Sequence, residues 1–245
     1  MASSQIACVN FLLPLLEIPG APTAMLRAID GDVTDVVSIQ GEACASAIEI
    51  EWIGLNHALE GPNITSRGSL STSVDGFLIA DTRTGRRAYL LEWKYVEEYR
   101  PNYLGEGRQG ETRRRRYGER YRTSCSFNGK APLEAWLYDP FYQIMRMRLL
   151  ADRMVADREL DVSEAKVVVV VPAGNLAYRE RITSPELSTL FPEARSAADV
   201  MRNTLSHPDR DFASVCPSVL AGAVRRTCGE SATAWGNYLR KRYGW

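Results

Sequence analysis

Two short stretches carry side chains that could do chemistry together. Ser73-Val74-Asp75-Gly76 opens one apolar run, and Glu92-Trp93-Lys94 lies near the end of another. Residues two apart on a strand point to the same face, so Glu92 and Lys94 project together, and hairpin pairing of the two runs would bring Asp75 beside them. Phe77, Leu90, Leu91 and Trp93 are apolar neighbours, which makes each charge costly unless it is paired, solvated or bound to a metal. Two adjacent carboxylates repel, and without a cation one pKa is driven up; together they make a hard-oxygen site for Mg²⁺, with Mn²⁺ as a substitute. A cation there can acidify a water and neutralise charge developing on a phosphodiester, while a lysine can activate or orient that water. The chemistry expected is metal-assisted phosphodiester hydrolysis, with Asp75 and Glu92 as metal ligands and Lys94 at the attacking water.

The elements that must position these groups follow from periodicity. Ser3-Ser4 caps a helix over 3–16 that is kinked or ended near Pro14. Residues 18–42 read as loop, with Pro19-Gly20, Pro22 and Gly31 as punctuation. The alternation in Ala47–Ile53 predicts a half-buried strand whose polar face holds Glu49 and Glu51. A Gly/Pro/Asn turn region over 61–68 then leads to two runs, 73–80 and 88–96, joined by Asp81-Thr82-Arg83-Thr84-Gly85, which make a hairpin. Asp139-Pro140 reads as an N-cap with proline at the first helical position, followed by a helix over 141–156. Val167–Val171 fits a strand buried on both faces. Beyond 175, helical periodicity covers 196–205, 213–227 and 232–243, with Trp235 and Leu239 as core positions.

The chain has 245 residues, 45% of them apolar, which excludes a disordered tail or a small disulfide-stapled module. Five scattered cysteines form no C-x-x-C pair, so they read as reduced thiols. The two histidines, His57 and His207, have no partner at helical spacing, which argues against a histidine metal site or a Ser-His-Asp relay, and His57 reads as structural. Ile6–Leu16 lacks the basic region of a secretory signal, and no stretch reaches the roughly 18 to 20 apolar residues that span a bilayer. A soluble, cytoplasmic protein without a membrane partner is expected.

Lys+Arg and Asp+Glu are 30 each, and only four of the basic residues are lysines (Lys94, Lys130, Lys166, Lys241). Charge is nevertheless local. Residues 99–126 hold eight arginines against three glutamates, with Tyr103, Tyr117 and Tyr121 interspersed. Guanidinium groups grip phosphate and tyrosine can stack on bases, so Arg113, Arg114, Arg115 and Arg116 are candidate nucleic-acid-binding residues. The alternative is a solvated segment that pairs with the chain's own acids.

The order helix, three strands, helix, strand, with an acid on the second strand and an acid-x-lysine triplet on the third, resembles the PD-(D/E)XK nuclease superfamily. Ser73-Val74-Asp75-Gly76 and Glu92-Trp93-Lys94 carry the likeness. Ser3–Phe11, Asp139–Arg146, Trp235-Gly236-Asn237-Tyr238 and Arg242-Tyr243-Gly244 are similar to segments of small bacterial restriction-endonuclease-related proteins. The resemblance implies an α/β, restriction-endonuclease-like α-β-β-β-α-β core with a mixed central sheet. That core would occupy residues 1–175 with an Arg-rich insertion at 99–134, and a mainly helical C-terminal portion, 176–245, would pack on it. It also implies a Mg²⁺-dependent DNA endonuclease, defence-related in role, in which Gln143 joins Asp75, Glu92 and Lys94 as an auxiliary catalytic residue. Where many members of the superfamily place a first-helix glutamate, this chain has Gln5 and Asn10, and Glu17 stands too near the helix end; Glu51 is the alternative third ligand.

A rival reading keeps the fold without catalysis, as a nucleic-acid-binding or interaction module of a defence or toxin assembly. Zero net charge suits an assembly, because a free nuclease gains from a stronger positive field. RNA as substrate and a homodimer for double-strand cutting stay open.

Overall fold

The computed structural model describes residues 3–40, 45–54, 59–61 and 71–245. His57, Cys44 and most of the 61–68 turn region lie outside the described residues. In chain order the elements are α1 (Ser4–Leu12), α2 (Ala21–Arg27), β1 (Val33–Val37), β2 (Ile39–Gln40), β3 (Ala45–Ser46), β4 (Glu49–Trp52), β5 (Val74–Thr82), β6 (Gly85–Trp93), α3 (Gly107–Thr123), α4 (Phe141–Ala156) and β7 (Glu164–Val170). Then follow α5 (Leu176–Arg179), α6 (Pro185–Leu190), α7 (Ala197–Thr204), α8 (Pro208–Asp211), β8 (Phe212–Val215), α9 (Pro217–Cys228) and α10 (Thr233–Tyr243).

The sheet is mixed. β5 and β6 form an antiparallel hairpin closed by Thr82 and Gly85, while β7 runs parallel to β6 and β8 parallel to β7. β1 and β4 share the outer edge of β5, both antiparallel to it: Val37 pairs Ile79, and Glu49 pairs Phe77. The unbroken valine run needs no polar face, because Val167 and Val169 enter the core beneath α4 while Val168 and Val170 enter the core beneath α1, α2, α9 and α10. The same two-residue period organises β6. Tyr89, Leu91 and Trp93 face the α1 side, Ala88 and Leu90 the α4 side. Glu92 and Lys94 continue the second series and so are aimed at α4.

Two segments depart from the sequence reading. Residues 18–42, read as loop, contain α2 and β1: Pro22 stands in the first turn of α2, where a missing N–H costs nothing, and the Val-Thr-Asp-Val-Val run pairs with β5. The helix expected from 213 begins only at Pro217, because Phe212–Val215 extends the sheet beside β7. Elsewhere, Ser3 caps α1 as expected, accepting the Ile6 N–H, and Trp235 and Leu239 are buried. Asp139 does not cap α4; Pro140 takes the N-cap position, so Asp139 stands one residue too early and turns elsewhere.

Candidate active site

The site is built where the ends of β5 and β6 meet the first turns of α1 and α4. Gly76 permits the close approach of α1, since a Cβ there would lie 2.5 Å from Leu12 Cδ1. Ser4 Oγ accepts the Tyr95 N–H at 2.7 Å, which ties the start of α1 to the chain just after Lys94. Beneath them, Trp93 packs on Phe11, with ring centroids 5.0 Å apart.

On this footing the structure gathers four of the expected residues. Asp75 Oδ2 accepts the Trp93 N–H at 2.7 Å, just past the Gly76–Leu91 pair that ends the hairpin register. Lys94 Nζ donates to Glu92 Oε1 and to Gln143 Oε1, both at 2.6 Å, and Gln143 Nε2 donates to Glu92 Oε1 at 2.7 Å. The result is a closed triangle linking β6 to α4. Glu92 and Lys94 are almost wholly buried, with side chains 3% and 4% exposed. Glu92 Oε2, by contrast, is a buried oxygen with no hydrogen-bond partner among the described residues.

The electrostatics follow from this burial. Desolvation pushes the Glu92 carboxyl well above the usual carboxylate range; the Lys94 ammonium opposes the rise and Asp75 adds to it. Asp75 is raised too, by burial first, against the lowering effect of the Trp93 N–H and Lys94, with Glu97 and Glu51 adding negative field. Burial alone would discharge Lys94, but the Glu92 carboxylate and Tyr99 outweigh it and hold the ammonium charged. Lys94 Nζ also lies 5.5 Å from the Tyr99 ring centroid.

The candidates for a third ligand are placed differently. Glu51, at a left-handed φ of 53°, accepts a hydrogen bond from Gln5, and its charge reaches Asp75. Asn10 donates to the Tyr243 hydroxyl at 2.7 Å and so serves the packing of α1 on the C-terminus. Among the described residues, no group of three His, Cys, Asp or Glu side chains is close enough to hold a metal ion.

A cavity of about 350 Å³ opens over Gln143, lined also by Tyr99, Asp139, Arg113, Tyr142 and Arg146. Asp139, raised by burial against the Lys94, Arg146 and Arg113 charges, belongs to this wall. Arg146 stands three residues after Gln143, on the same face of α4. It donates to Thr72 Oγ1 at 2.9 Å and to the Ser71 carbonyl at 3.0 Å. Sequence reasoning missed both residues: Asp139 was spent on a cap, and Arg146 lies inside an apolar helix, where only its spacing from Gln143 signals it. A different cavity, about 540 Å³ and lined by Arg148, Asp152 and Arg210, shares no residue with this one.

The Arg-rich segment is the helix α3, and its four consecutive arginines diverge. Arg113 and Arg116 line a further cavity between α3 and α4, Arg114 donates to the Tyr103 hydroxyl at 3.1 Å and pairs with Glu134, and Arg115 points to solvent. The tyrosines do not offer themselves for base stacking. Tyr117 is 2% exposed, and the Tyr121 hydroxyl donates to the Ala131 carbonyl and accepts the Trp136 indole N–H. Both are consumed by the core because they fall on the inner face of α3.

A mixed sheet between two helical layers, consistent with a restriction-endonuclease-like fold, and two acids with a lysine at its hairpin suit a restriction-endonuclease-related protein. The chain belongs to the family described as restriction endonuclease associating with ARP, which it matches over residues 1–244. No curated protein and no solved structure matches it. Among the described residues, no helix is long and apolar enough to cross a membrane.

Proposed function

We propose that this chain is a metal-dependent endonuclease that hydrolyses DNA phosphodiester bonds at Asp75, Glu92, Lys94 and Gln143. The observation that carries the reading is the Glu92–Lys94–Gln143 triangle, which fixes one carboxylate oxygen on the lysine and leaves the other buried and without a hydrogen-bond partner among the described residues. An unpartnered buried carboxylate oxygen beside a second raised carboxyl fits a hard cation. Asp75 and Glu92 would hold Mg²⁺ or Mn²⁺, with Glu51 as the candidate third ligand and water or phosphate oxygens in the remaining positions. When bound, the cation supplies positive charge to the phosphodiester and acidifies water.

The chain's own residues do the rest. Lys94, held charged, donates to the attacking water or to a phosphate oxygen as negative charge develops, which is worth most in a site closed from solvent. Gln143 fixes the ammonium against rotation and so acts by positioning. Arg113, Arg116 and Arg146 line the approach and take up backbone phosphates, while Arg115 and Arg114 contribute weaker, solvated field. The four described cysteines are free, which suits a bacterial cytoplasm.

A second reading is favoured by one observation, the lack of three clustered ligands among the described residues: a nucleic-acid-binding member without catalysis that acts in an assembly, in keeping with a family description that names association with ARP. Nicking of supercoiled plasmid by the purified chain separates the two. Cleavage with Mg²⁺ or Mn²⁺ that stops in EDTA supports the nuclease; binding with no cleavage under either metal supports the second reading.

A further inference from the structure

A cavity of about 520 Å³ lies between α3 and α4 and shares Arg113, Tyr142 and Arg146 with the cavity over Gln143. Its remaining cations are Arg108 and Arg116, which stand one turn before and one turn after Thr112 on the same face of α3. Among the described residues no carboxylate lines it. Were these arginines merely the solvated face of a helix, they would be expected to pair with nearby acids, as Arg122 does with Glu119 and Arg114 with Glu134. Arg108, Arg113 and Arg116 form no ion pair with any described residue, although Arg113 donates to the Leu104 carbonyl and is thereby held in place.

The wall nearest the catalytic groups is the most ordered by contacts. Tyr142 lies between two guanidiniums, 5.4 Å from Arg113 and 5.1 Å from Arg146. Arg146 is also 5.8 Å from the Tyr117 ring and 3.7 Å from Glu60, whose side chain is 1% exposed and balances part of its charge from behind. Its Nε and one Nη are engaged by Thr72 and Ser71, and the other Nη has no hydrogen-bond partner among the described residues.

We propose that this cavity is a binding site for the phosphate monoester of a nucleotide, set beside the hydrolytic site so that a phosphorylated strand end is held while the backbone runs to Lys94. This deepens the nuclease reading and rests on it only for the fate of the strand. Three arginines without ion pairs among the described residues and a fourth only partly balanced suit a dianionic monoester better than a single diester charge, since a phosphate monoester carries roughly −1.5 to −2 at neutral pH. The volume is of the size that holds a small ligand rather than a duplex.

The test is binding in EDTA, where no cleavage intervenes, of fluorescent single-stranded oligonucleotides that differ only in a 5′-phosphate or 5′-hydroxyl. The expected result is binding tighter by about tenfold for the 5′-phosphate. Arg108→Ala, at an exposed position, should remove most of that preference while changing 5′-hydroxyl binding by about twofold or less, and Arg116→Ala should remove most of it while also weakening 5′-hydroxyl binding. Adenosine 5′-monophosphate as competitor separates the two sources of the ligand: displacement at comparable concentrations identifies a site for a free nucleotide, and displacement only by phosphorylated strands identifies a strand-end site. Equal affinity for the two oligonucleotides, or a preference that survives in both arginine variants, overturns the proposal. A preference without any metal-dependent cleavage sinks the nuclease reading and leaves the pocket standing; cleavage without a preference does the reverse.

Discussion

Lys94 and Gln143, forty-nine residues apart, meet at 2.6 Å, and the same glutamine returns a hydrogen bond to Glu92 at 2.7 Å. The side-chain amide thus presents its acceptor to the ammonium and its donor to the carboxylate. An alanine at 143 removes both. Gln143→Ala is expected to lower the cleavage rate by about 10- to 100-fold with DNA affinity nearly unchanged. A loss of binding equal to the loss of rate would instead make Gln143 a substrate contact. Rate and affinity measured separately decide between them.

The Glu92–Lys94 pair sets a second expectation, in stability. Removing one partner strands a buried charge, so Lys94→Ala should destabilise the fold by about 3 kcal/mol. The double variant Glu92→Gln with Lys94→Met replaces both charges by groups of similar volume and should recover much of that loss while remaining inactive. Denaturant unfolding of the three proteins checks this, and a double variant no more stable than the single one would contradict it.

Much of this arrangement was legible in the sequence, and the reason is periodicity. Two apolar runs and a short polar turn fix the β5–β6 hairpin, and the two-residue period then places Glu92 and Lys94 on one face. α1, α4 and the valine strand β7 were equally marked by a serine cap, helical spacing and β-branched composition. What escaped depends on long-range pairing. β1 and β8 are short segments that exist because β5 and β7 offer them an edge, which no local pattern announces. Glu60 and Arg146 matter through Thr72 and Tyr117, contacts between distant parts of the chain. The inward turn of Tyr117 likewise reflects the packing of α3 rather than its composition.

Gly76 gives a prediction for the scaffold. Leu12, whose Cδ1 a Cβ would meet at 2.5 Å, is fully buried and has little room to withdraw. Gly76→Ala should therefore cost about 1 to 3 kcal/mol and shift α1 away from the hairpin. Unchanged stability would show that α1 can be displaced freely.

On the α1 side of the sheet, Asp30 accepts hydrogen bonds from Arg87 and from the Tyr89 hydroxyl and lies 3.3 Å from Lys166 Nζ. Burial alone would raise its carboxyl, but the Asp32 N–H and the Lys166 and Arg87 charges outweigh it and hold the group at about 2. Because the folded value lies below the unfolded one, near 3.9, the stabilisation is complete above pH ~4 and is lost as pH falls toward ~2. It should amount to on the order of 2 kcal/mol, absent in Asp30→Asn. Unfolding free energies of both proteins at pH 5 and pH 3 measure it; parallel acid dependence in the two would assign the effect elsewhere.

Metal affinity should also depend on pH. Burial raises Asp75 above the usual carboxylate range, so protons compete with a cation for that carboxyl. Mn²⁺ titrations in buffers of different ionisation enthalpy are expected to show affinity rising with pH, with proton release on the acid side of that rise. Binding with no proton release would place the ion elsewhere.

The most direct test of the hydrolytic site is cleavage of supercoiled plasmid in Mg²⁺ by the wild-type chain and by Asp75→Asn, which keeps the shape of the side chain and removes its charge. Metal-dependent nicking is expected of the wild type, lower by about 100-fold or more in the variant, with DNA binding retained by both. Cleavage by Asp75→Asn at the wild-type rate, or a wild-type chain that binds DNA and never cuts it, would contradict that expectation.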